Sequence, residues 1–173
     1  MPDPKQLYAW KRFTIEESTH TLPNGVITNH ITLEHPGAVL ILPVANDGKL
    51  VLLKQYRPSI RRWIYEFPAG TLESSESPSV CAVRELAEEA SLQAEEWHAI
   101  GESLPAPGFC NETQYLFVAK LLSPCEAEMD EDEVIEVVHF SVEEVASMIA
   151  NNQIQDSKTI VAFCRAQLLG LIT

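Results

Sequence analysis

Positive charge is scarce in this sequence. Its 173 residues include 12 Lys and Arg against 25 Asp and Glu, which gives a formal net charge of -13 at pH 7. Nucleic-acid-binding surfaces depend on many Lys and Arg contacts to phosphate, so this balance argues against DNA or RNA as a partner. An anionic substrate would need local cations that offset the overall negative field.

Long apolar runs and paired cysteines are also absent. No stretch approaches the roughly 18 residues that a membrane-spanning helix needs, and the N-terminus, "MPDPKQLYAW", has no hydrophobic stretch behind a basic start. The four cysteines include no C-x-x-C pair and no nearby His at zinc-ligand spacing, so we interpret them as structural thiols. These absences predict a cytoplasmic protein with no membrane partner.

The length predicts one main domain with a small appended subdomain. Asn24-Gly25 lies between two β-favouring segments and is a strong hairpin signal, which predicts strands near 9–20 and 26–34. Two apolar segments, 37–46 and 49–56, follow and predict a second hairpin that is buried on both faces. We expect this second hairpin to begin the main core.

A helix is predicted over 78–90. Ser77 is a favourable N-cap and Pro78 suits the first helical position. Val83, Leu86 and Ala90 fall on one apolar stripe that should face the core. Further strands are expected near 96–103, 113–121 and 134–140, and further helices near 141–150 and 156–170. This irregular alternation favours an α/β (mixed α+β) fold with a mixed sheet between helices.

Three carboxylates share another face of the predicted helix. Glu85, Glu88 and Glu89 fall at i, i+3 and i+4. Like charges at this spacing cost a few tenths of a kcal/mol per pair on an exposed helix. A solvated acidic face is the ordinary interpretation of such a pattern. A hard divalent cation would instead turn the repulsion into attraction, so the face is a candidate metal site.

The pattern of charged residues continues upstream of the helix. In order it contains Gly70, five residues, Glu76, seven residues and then Arg84-Glu85-Leu86-x-Glu88-Glu89. This series resembles the Nudix hydrolase box, G-x5-E-x7-R-E-U-x-E-E-x-G-U with U aliphatic. Ser91 stands where the box has its last glycine, before Leu92. A left-handed helix end costs serine more than glycine, so the departure affects the helix terminus and not the ligands.

The resemblance implies a fold, an activity and a cofactor. The fold would be an α/β/α sandwich over 36–173, preceded by a small antiparallel β subdomain over 1–35. The activity would be attack of water on a phosphorus of a nucleoside diphosphate linked to another moiety, with Mg²⁺ or, as a substitute, Mn²⁺. Glu85, Glu88 and Glu89 would be metal ligands, and Arg84 and Glu88 would belong to the catalytic set.

Two segments are similar to the ADP-ribose pyrophosphatase group of this family. Pro107 lies fifteen residues after Leu92 and is followed by Gly108; a simple turn proline is the alternative interpretation. The segment "KQYRPSIRRWIYEFPAG" resembles the one that precedes the box in ADP-ribose and nucleoside diphosphate sugar pyrophosphatases. That resemblance implies that Arg57 contacts substrate phosphates and that the Ala69 carbonyl joins the metal shell.

An acidic loop follows in "MDEDEVIEVVHF". In related enzymes a loop at this point supplies the catalytic base or a further metal ligand, and the resemblance assigns this role first to Glu133 and next to Glu131. A solvated run of acids is the alternative. Glu112 in "CNET" could bind the terminal ribose, again by resemblance.

The N-terminal subdomain fits the same group, in which it is exchanged across a homodimer and completes the base pocket. Trp10 lies in the right region to stack on a nucleobase, a contact that tolerates several bases. A core aromatic of the hairpin is the alternative interpretation of this residue.

The resemblance favours ADP-ribose as substrate, cleaved to AMP and ribose 5-phosphate. GDP-mannose and UDP-glucose remain alternatives because base and sugar specificity depends on a few contacts of about 1–3 kcal/mol each. A nucleotide-sensing binding module is a further alternative. The intact Glu85, Glu88 and Glu89 argue against it, since a sensor does not need the full set of metal ligands.

Overall fold

The computed structural model describes residues 4–128 and 134–173. In chain order its elements are β1 (Lys5–Trp10), β2 (Phe13–Thr21), β3 (Ile27–Glu34), β4 (Ala38–Pro43), β5 (Leu50–Arg57), β6 (Arg62–Glu66), β7 (Ala69–Thr71), α1 (Pro78–Ala90), β8 (Leu92–Ser103), β9 (Gln114–Pro124), β10 (Ile135–Phe140), α2 (Val142–Ala150) and α3 (Ser157–Leu168). The predicted order of strands and helices after residue 78 is confirmed.

The N-terminal segment forms an antiparallel sheet in the order β1-β2-β3. The turn at Asn24-Gly25 is confirmed, with Gly25 at a φ of 83°. The prediction of one strand near 9–20 is wrong, because the chain reverses after Trp10, where Lys11 adopts a φ of 48°. Lysine seldom occupies this left-handed region, so the sequence carries no ordinary turn signal there.

Two further sheets form the centre of the molecule. Their strand orders are β10-β5-β6 and β7-β4-β9-β8, and the second is mixed because β4 is parallel to β9 and antiparallel to β7. The predicted hairpin of 37–46 and 49–56 is wrong in its pairing. Its strands meet at the isolated bridge between Val44 and Leu50 and then enter different sheets. Segments that are apolar on both faces suit the middle of two separate sheets equally well.

Strand β4 lies between two hydrophobic clusters. Leu40 and Leu42 pack on the side of α2 and α3, together with Phe67 and Phe163. Alternate residues point to the opposite face, where Val39 and Ile41 pack in the cluster that contains Leu86 of α1. The helices therefore cover both sides of the sheets in an α/β/α arrangement. None of the helices within 4–128 and 134–173 is long and apolar enough to cross a membrane.

Helix α1 has the predicted ends, and its buried face matches the prediction in part. Ser77 caps its start by accepting a hydrogen bond from the Val80 N–H, and Ser91 closes it at φ 53° and ψ 39°. The serine thus takes the left-handed conformation that glycine favours. Leu86 and Ala90 of the predicted apolar stripe are buried, but the third member, Val83, is 50% exposed. The face against the sheets is rotated because Glu85 and Glu89 are both buried there.

Candidate active site

A cleft of about 350 Å³ lies where the β1–β2 turn, strand β7 and helix α1 meet. Six residues predicted from the sequence line it: Arg57, Ala69, Arg84, Glu85, Glu88 and Glu89. Its other lining residues are Lys11, Arg12, Phe13, Gly70, Thr71 and Glu73, of which only Gly70 belongs to the sequence pattern around the helix. Arg12 reaches across the cleft, donating to the Thr71 carbonyl at 3.0 Å and to the Glu73 carboxylate at 2.8 Å.

Arg84, in the middle of α1, is the centre of a group of carboxylates. Its Nη1 donates to Glu85 at 2.6 Å and to Glu88 at 2.8 Å, and its Nε donates to Glu76 at 3.0 Å. The hydrogen bonds from Arg84 lower the pKa of Glu76 to about 2. The neighbouring thiol is inert by contrast, because burial raises the pKa of Cys81 to about 12. We call Arg84, Glu76, Glu85 and Glu88 the Arg84 cluster.

Two contacts fix strand β7 against α1. The Glu89 carboxylate accepts a hydrogen bond of 2.7 Å from the Ala69 N–H. Gly70 lies so close to the Glu85 carboxyl group that any β-carbon at position 70 would overlap it. The absence of a side chain at Gly70 therefore makes room for the Glu85 carboxylate beside the backbone. Strand and helix are brought together by the acidic residues themselves.

The donor atoms suit a hard divalent cation. The carboxylates of Glu85, Glu88 and Glu89 and the backbone of Ala69 all line the one cleft, and oxygen donors are those that Mg²⁺ prefers. Within 4–128 and 134–173, no three His, Cys, Asp or Glu side chains converge closely enough to hold an ion. The reason is that Glu85 and Glu88 point to Arg84 while Glu89 points to the Ala69 N–H.

A second cleft, of about 290 Å³, adjoins the first and shares Arg57 and the segment 69–71 with it. Glu112 lies here, as does His35. Nδ1 of His35 accepts a hydrogen bond of 3.0 Å from the Gly37 N–H, which assigns the ring proton of the neutral imidazole to Nε2. Burial lowers the pKa of His35, although the charge of Glu112 opposes this effect. The second cleft therefore offers both a donor and a carboxylate acceptor.

Arg57 lies at the boundary of the two clefts. Its Nε and Nη2 donate to the two oxygens of Glu66 at 2.7 and 2.8 Å. Glu66 is completely buried and also accepts a bond of 2.5 Å from Lys158. Glu66 was not predicted from the sequence, although an acid within the otherwise apolar "IYEFP" is a signal that marks it. No comparable signal marks Lys158.

Trp10 lies apart from the carboxylates. It is 54% exposed, so the interpretation as a buried core aromatic is wrong, and it lines a separate apolar cavity with Tyr8, Phe13, Ile15 and Leu33. Phe13 connects the two regions, since its ring stacks on His35 at 4.9 Å between ring centroids and faces Trp10 at 6.2 Å.

The loop after β8 contains Pro107 and Gly108. Both residues are exposed and lie in a turn, in which the Phe109 N–H donates to the Ala106 carbonyl at 3.1 Å. Neither lines the two clefts that contain Arg57. The loop is tied to the end of β3 through a bond of 2.8 Å from the Leu33 N–H to the Phe109 carbonyl. Glu131 and Glu133 lie outside the described residues.

Known proteins resemble the chain over most of its length. The NUDIX domain family model matches residues 34–163. The "Methanol dehydrogenase activator" of Bacillus methanolicus is 36% identical over 166 residues, covering 95% of this chain and 90% of the relative. The "ADP-ribose pyrophosphatase" of Bacillus subtilis (strain 168) has the same identity of 36% over 166 residues and the same coverage, 95% and 90%.

More distant proteins give the same result. A "GDP-mannose pyrophosphatase" of Yersinia enterocolitica is 33% identical over 145 residues, which cover 79% of this chain and 75% of that protein. A solved structure described as "ADP compounds hydrolase" superimposes with a TM-score of 0.83 at 22% identity, over 96% of this chain and 91% of that one. The family model matches most of the chain, and relatives at 36% identity cover 95% of it. Together with the acidic motif around Arg84, these matches show that the chain belongs to the Nudix family.

Proposed function

We propose that this Nudix protein is a pyrophosphatase that hydrolyses the diphosphate of a nucleoside diphosphate sugar, and that its substrate is ADP-ribose, cleaved to AMP and ribose 5-phosphate. The observation that carries the proposal is the cleft of about 350 Å³ in which Glu85, Glu88 and Glu89 meet Arg57. Carboxylates suit a metal ion, and an arginine beside them can donate two hydrogen bonds to a phosphate, so the pair suits a metal-bound diphosphate. The pyrophosphatases of Bacillus subtilis and Yersinia enterocolitica support the substrate class.

Mg²⁺, or Mn²⁺ in its place, would be held by Glu85, Glu88, Glu89 and the Ala69 carbonyl. When bound, it supplies charge neutralisation of the phosphates and activation of water. The chain itself contributes the arrangement of the ligands. Arg84 holds Glu85 and Glu88 on one side of the cleft, and Glu89 fixes the backbone of Ala69. Glu133, or Glu131 as the next candidate, is proposed as the catalytic base.

The remaining groups are proposed to bind the two ends of the substrate. Arg57 contacts the diphosphate, and Glu112 in the second cleft accepts hydrogen bonds from the hydroxyl groups of the terminal sugar. Trp10 stacks on the base, a role supported by its exposed ring beside a mostly apolar cavity. Pro107 and Gly108 belong to this recognition set by family resemblance.

We also propose that the protein is a cytoplasmic homodimer in which residues 1–35 supply the contact. Strand β1 is exposed along its whole length and includes Leu7, Tyr8 and Trp10. A small sheet with such an apolar edge is stabilised by packing on something larger. Sedimentation at micromolar concentration is expected to give a dimer. A fully active monomer under those conditions would contradict the proposal.

A panel of nucleotide sugars tests the proposed function. ADP-ribose, GDP-mannose and UDP-glucose are incubated with Mg²⁺, and phosphate is measured after phosphatase treatment. We expect the highest kcat/KM for ADP-ribose, no activity in excess EDTA and recovery when Mg²⁺ or Mn²⁺ is added. GDP-mannose is the second candidate because of the Yersinia relatives. Tight binding of ADP-ribose with no hydrolysis of any compound would instead support a nucleotide sensor.

A further inference from the structure

Four charged side chains meet at the boundary of the two clefts, and two of them, Asp156 and Lys158, line the second cleft. Glu66 lies at the end of β6, Arg57 at the end of β5, and Asp156 and Lys158 at the start of α3. Glu66 binds Arg57 through both oxygens at 2.7 and 2.8 Å, and the oxygen nearer Nη2 also accepts from Lys158 at 2.5 Å. Lys158 donates in addition to Asp156 at 2.9 Å. We call these four residues the Glu66 cluster.

Burial makes this cluster sensitive to the loss of any member. The Glu66 side chain is 0% exposed, and those of Lys158 and Asp156 are 16% and 14% exposed. A buried carboxylate is stable only when its charge is compensated, and removing one partner of a buried pair is strongly destabilising. Burial lowers the pKa of Lys158, but the charges of Asp156 and Glu66 outweigh this and raise it. Lys158 therefore remains a cation at neutral pH.

The shared oxygen couples Lys158 to Arg57. Nη2 of Arg57 and Nζ of Lys158 donate to the same Glu66 atom, from opposite elements of the fold. The lysine satisfies part of the negative charge of Glu66. Without it, the buried carboxylate would depend on Arg57 for its compensation and would draw the guanidinium more strongly away from the clefts. A substrate phosphate would then have to compete with a stronger internal partner.

We propose that Lys158 is a positioning residue, which acts through Glu66 to hold Arg57 at the boundary of the two clefts for contact with a diphosphate. The proposal rests on the proposed function for the role of Arg57. It assigns no contact between Lys158 and the reacting atoms. Lys158 sets how strongly Glu66 binds Arg57, and hence the affinity of Arg57 for phosphate groups.

One competing explanation is that Lys158, which lines the second cleft, contacts the bound ligand directly. The other is that Lys158 only anchors helix α3 to the sheet. The chain offers a matched control for this, because Thr159 is the next residue of the same helical turn. Its Oγ1 accepts a hydrogen bond of 2.9 Å from the Phe67 N–H, one residue after Glu66. Thr159 is completely buried, like Glu66. Thr159→Val removes an anchor between the same two elements without touching the charges on Glu66.

The test compares Lys158→Met with Thr159→Val in the full chain. Tm, kcat and KM for ADP-ribose are measured with Mg²⁺, and ADP binding is measured by calorimetry in EDTA. For Lys158→Met we expect KM and the Kd for ADP to rise together by about tenfold or more, with a smaller change in kcat. For Thr159→Val we expect a lower Tm but KM and Kd within about twofold of wild type.

Lys158→Gln keeps a hydrogen-bond donor but removes the charge, so it carries the test if Lys158→Met does not fold. Equal changes of KM and Kd in the lysine and threonine variants would reduce Lys158 to an anchor and overturn the inference. An equally large effect of Lys158→Met in a Glu66→Gln background would also overturn it, because Lys158 would then act by direct contact with the ligand. So would wild-type affinity in a folded Lys158→Gln variant, or wild-type protein that does not bind ADP. If wild type binds ADP but hydrolyses no nucleotide sugar, the proposed function fails, while a Kd that separates the two variants still supports the positioning role.

Discussion

The Arg84 cluster and the Glu66 cluster differ in net charge. In the first, one guanidinium is bound by the three carboxylates of Glu76, Glu85 and Glu88. In the second, two acids and two bases balance, with Glu66 between Arg57 and Lys158. Both lie along the same cleft system, which Arg57 and the segment 69–71 connect. The first has an excess of negative charge, which suits a bound metal cation. The second is balanced and contains Arg57, the proposed contact of the substrate diphosphate.

The largest expected effect comes from removing charge in the acidic half of this pair. Glu85→Gln and Glu89→Gln should each lower kcat by at least about 10²-fold with the fold intact, because each removes charge from the proposed metal-binding face without changing its shape. Glu95→Gln, an exposed position on β8, is the control and should match wild type. Near-normal turnover of both site variants at saturating Mg²⁺ would remove the functional distinction between the clusters.

Glu133→Gln shows whether the acids of the Arg84 cluster are sufficient for the reaction. If Glu133 acts in the transition state, kcat and kcat/KM should fall by similar factors of about 10²-fold or more, while ADP-ribose still binds with Mg²⁺. Steady-state kinetics paired with calorimetry makes the distinction. An unchanged kcat would move the base to another acid, with Glu131 tested next.

Trp10→Ala examines the base end of the cleft system, which neither cluster reaches. If its ring stacks on the base, KM should rise by a factor that corresponds to about 1–3 kcal/mol, with kcat nearly constant. The measurement is a Michaelis–Menten titration beside thermal unfolding. A change in Tm with no change in KM would limit Trp10 to a structural role in the β1–β3 sheet.

The smallest effect concerns stability and pH. The hydrogen bonds of Arg84 lower the pKa of Glu76 from its ordinary 4.5 to about 2, so the ionised carboxylate stabilises the folded state. This contribution, roughly 1–3 kcal/mol, should be fully present above the unfolded pKa and should be lost as pH falls through the folded pKa. Urea unfolding should show wild type more stable than Glu76→Gln at pH 7, with the difference shrinking between pH 4.5 and 2. A difference independent of pH would contradict the assignment.

The two clusters also differ in how far the sequence predicts them. The acids of the Arg84 cluster fall within a short stretch, and helical periodicity alone places Glu85 and Glu88 together. The Glu66 cluster is assembled from β5, β6 and the start of α3, and Glu66 and Lys158 are 92 positions apart in the sequence. No local pattern joins them. Arg57 was therefore predicted as a phosphate contact without the partners that hold it.

The errors in the fold have the same origin. Continuous apolar segments identified β4 and β5 as buried strands, but which strands each one pairs with depends on contacts distant in the chain. Val83 was placed in the core because helical apolar residues usually face inward. The structure instead buries Glu85 and Glu89 beneath α1, where Arg84 and the Ala69 N–H satisfy them. A site that requires buried acids overrides the ordinary hydrophobic pattern.

The two glycine positions of the box, 70 and 91, differ in their tolerance of variation. At position 91 the requirement is conformational, and Ser91 meets it at φ 53°, with a strain cost of order 1 kcal/mol. At position 70 the requirement is spatial, since any β-carbon would overlap the Glu85 carboxyl group. Gly70→Ala should therefore displace the Glu85 carboxylate and have the same effect as a substitution of Glu85 itself. We expect family members to depart from glycine at the helix end far more often than at the strand.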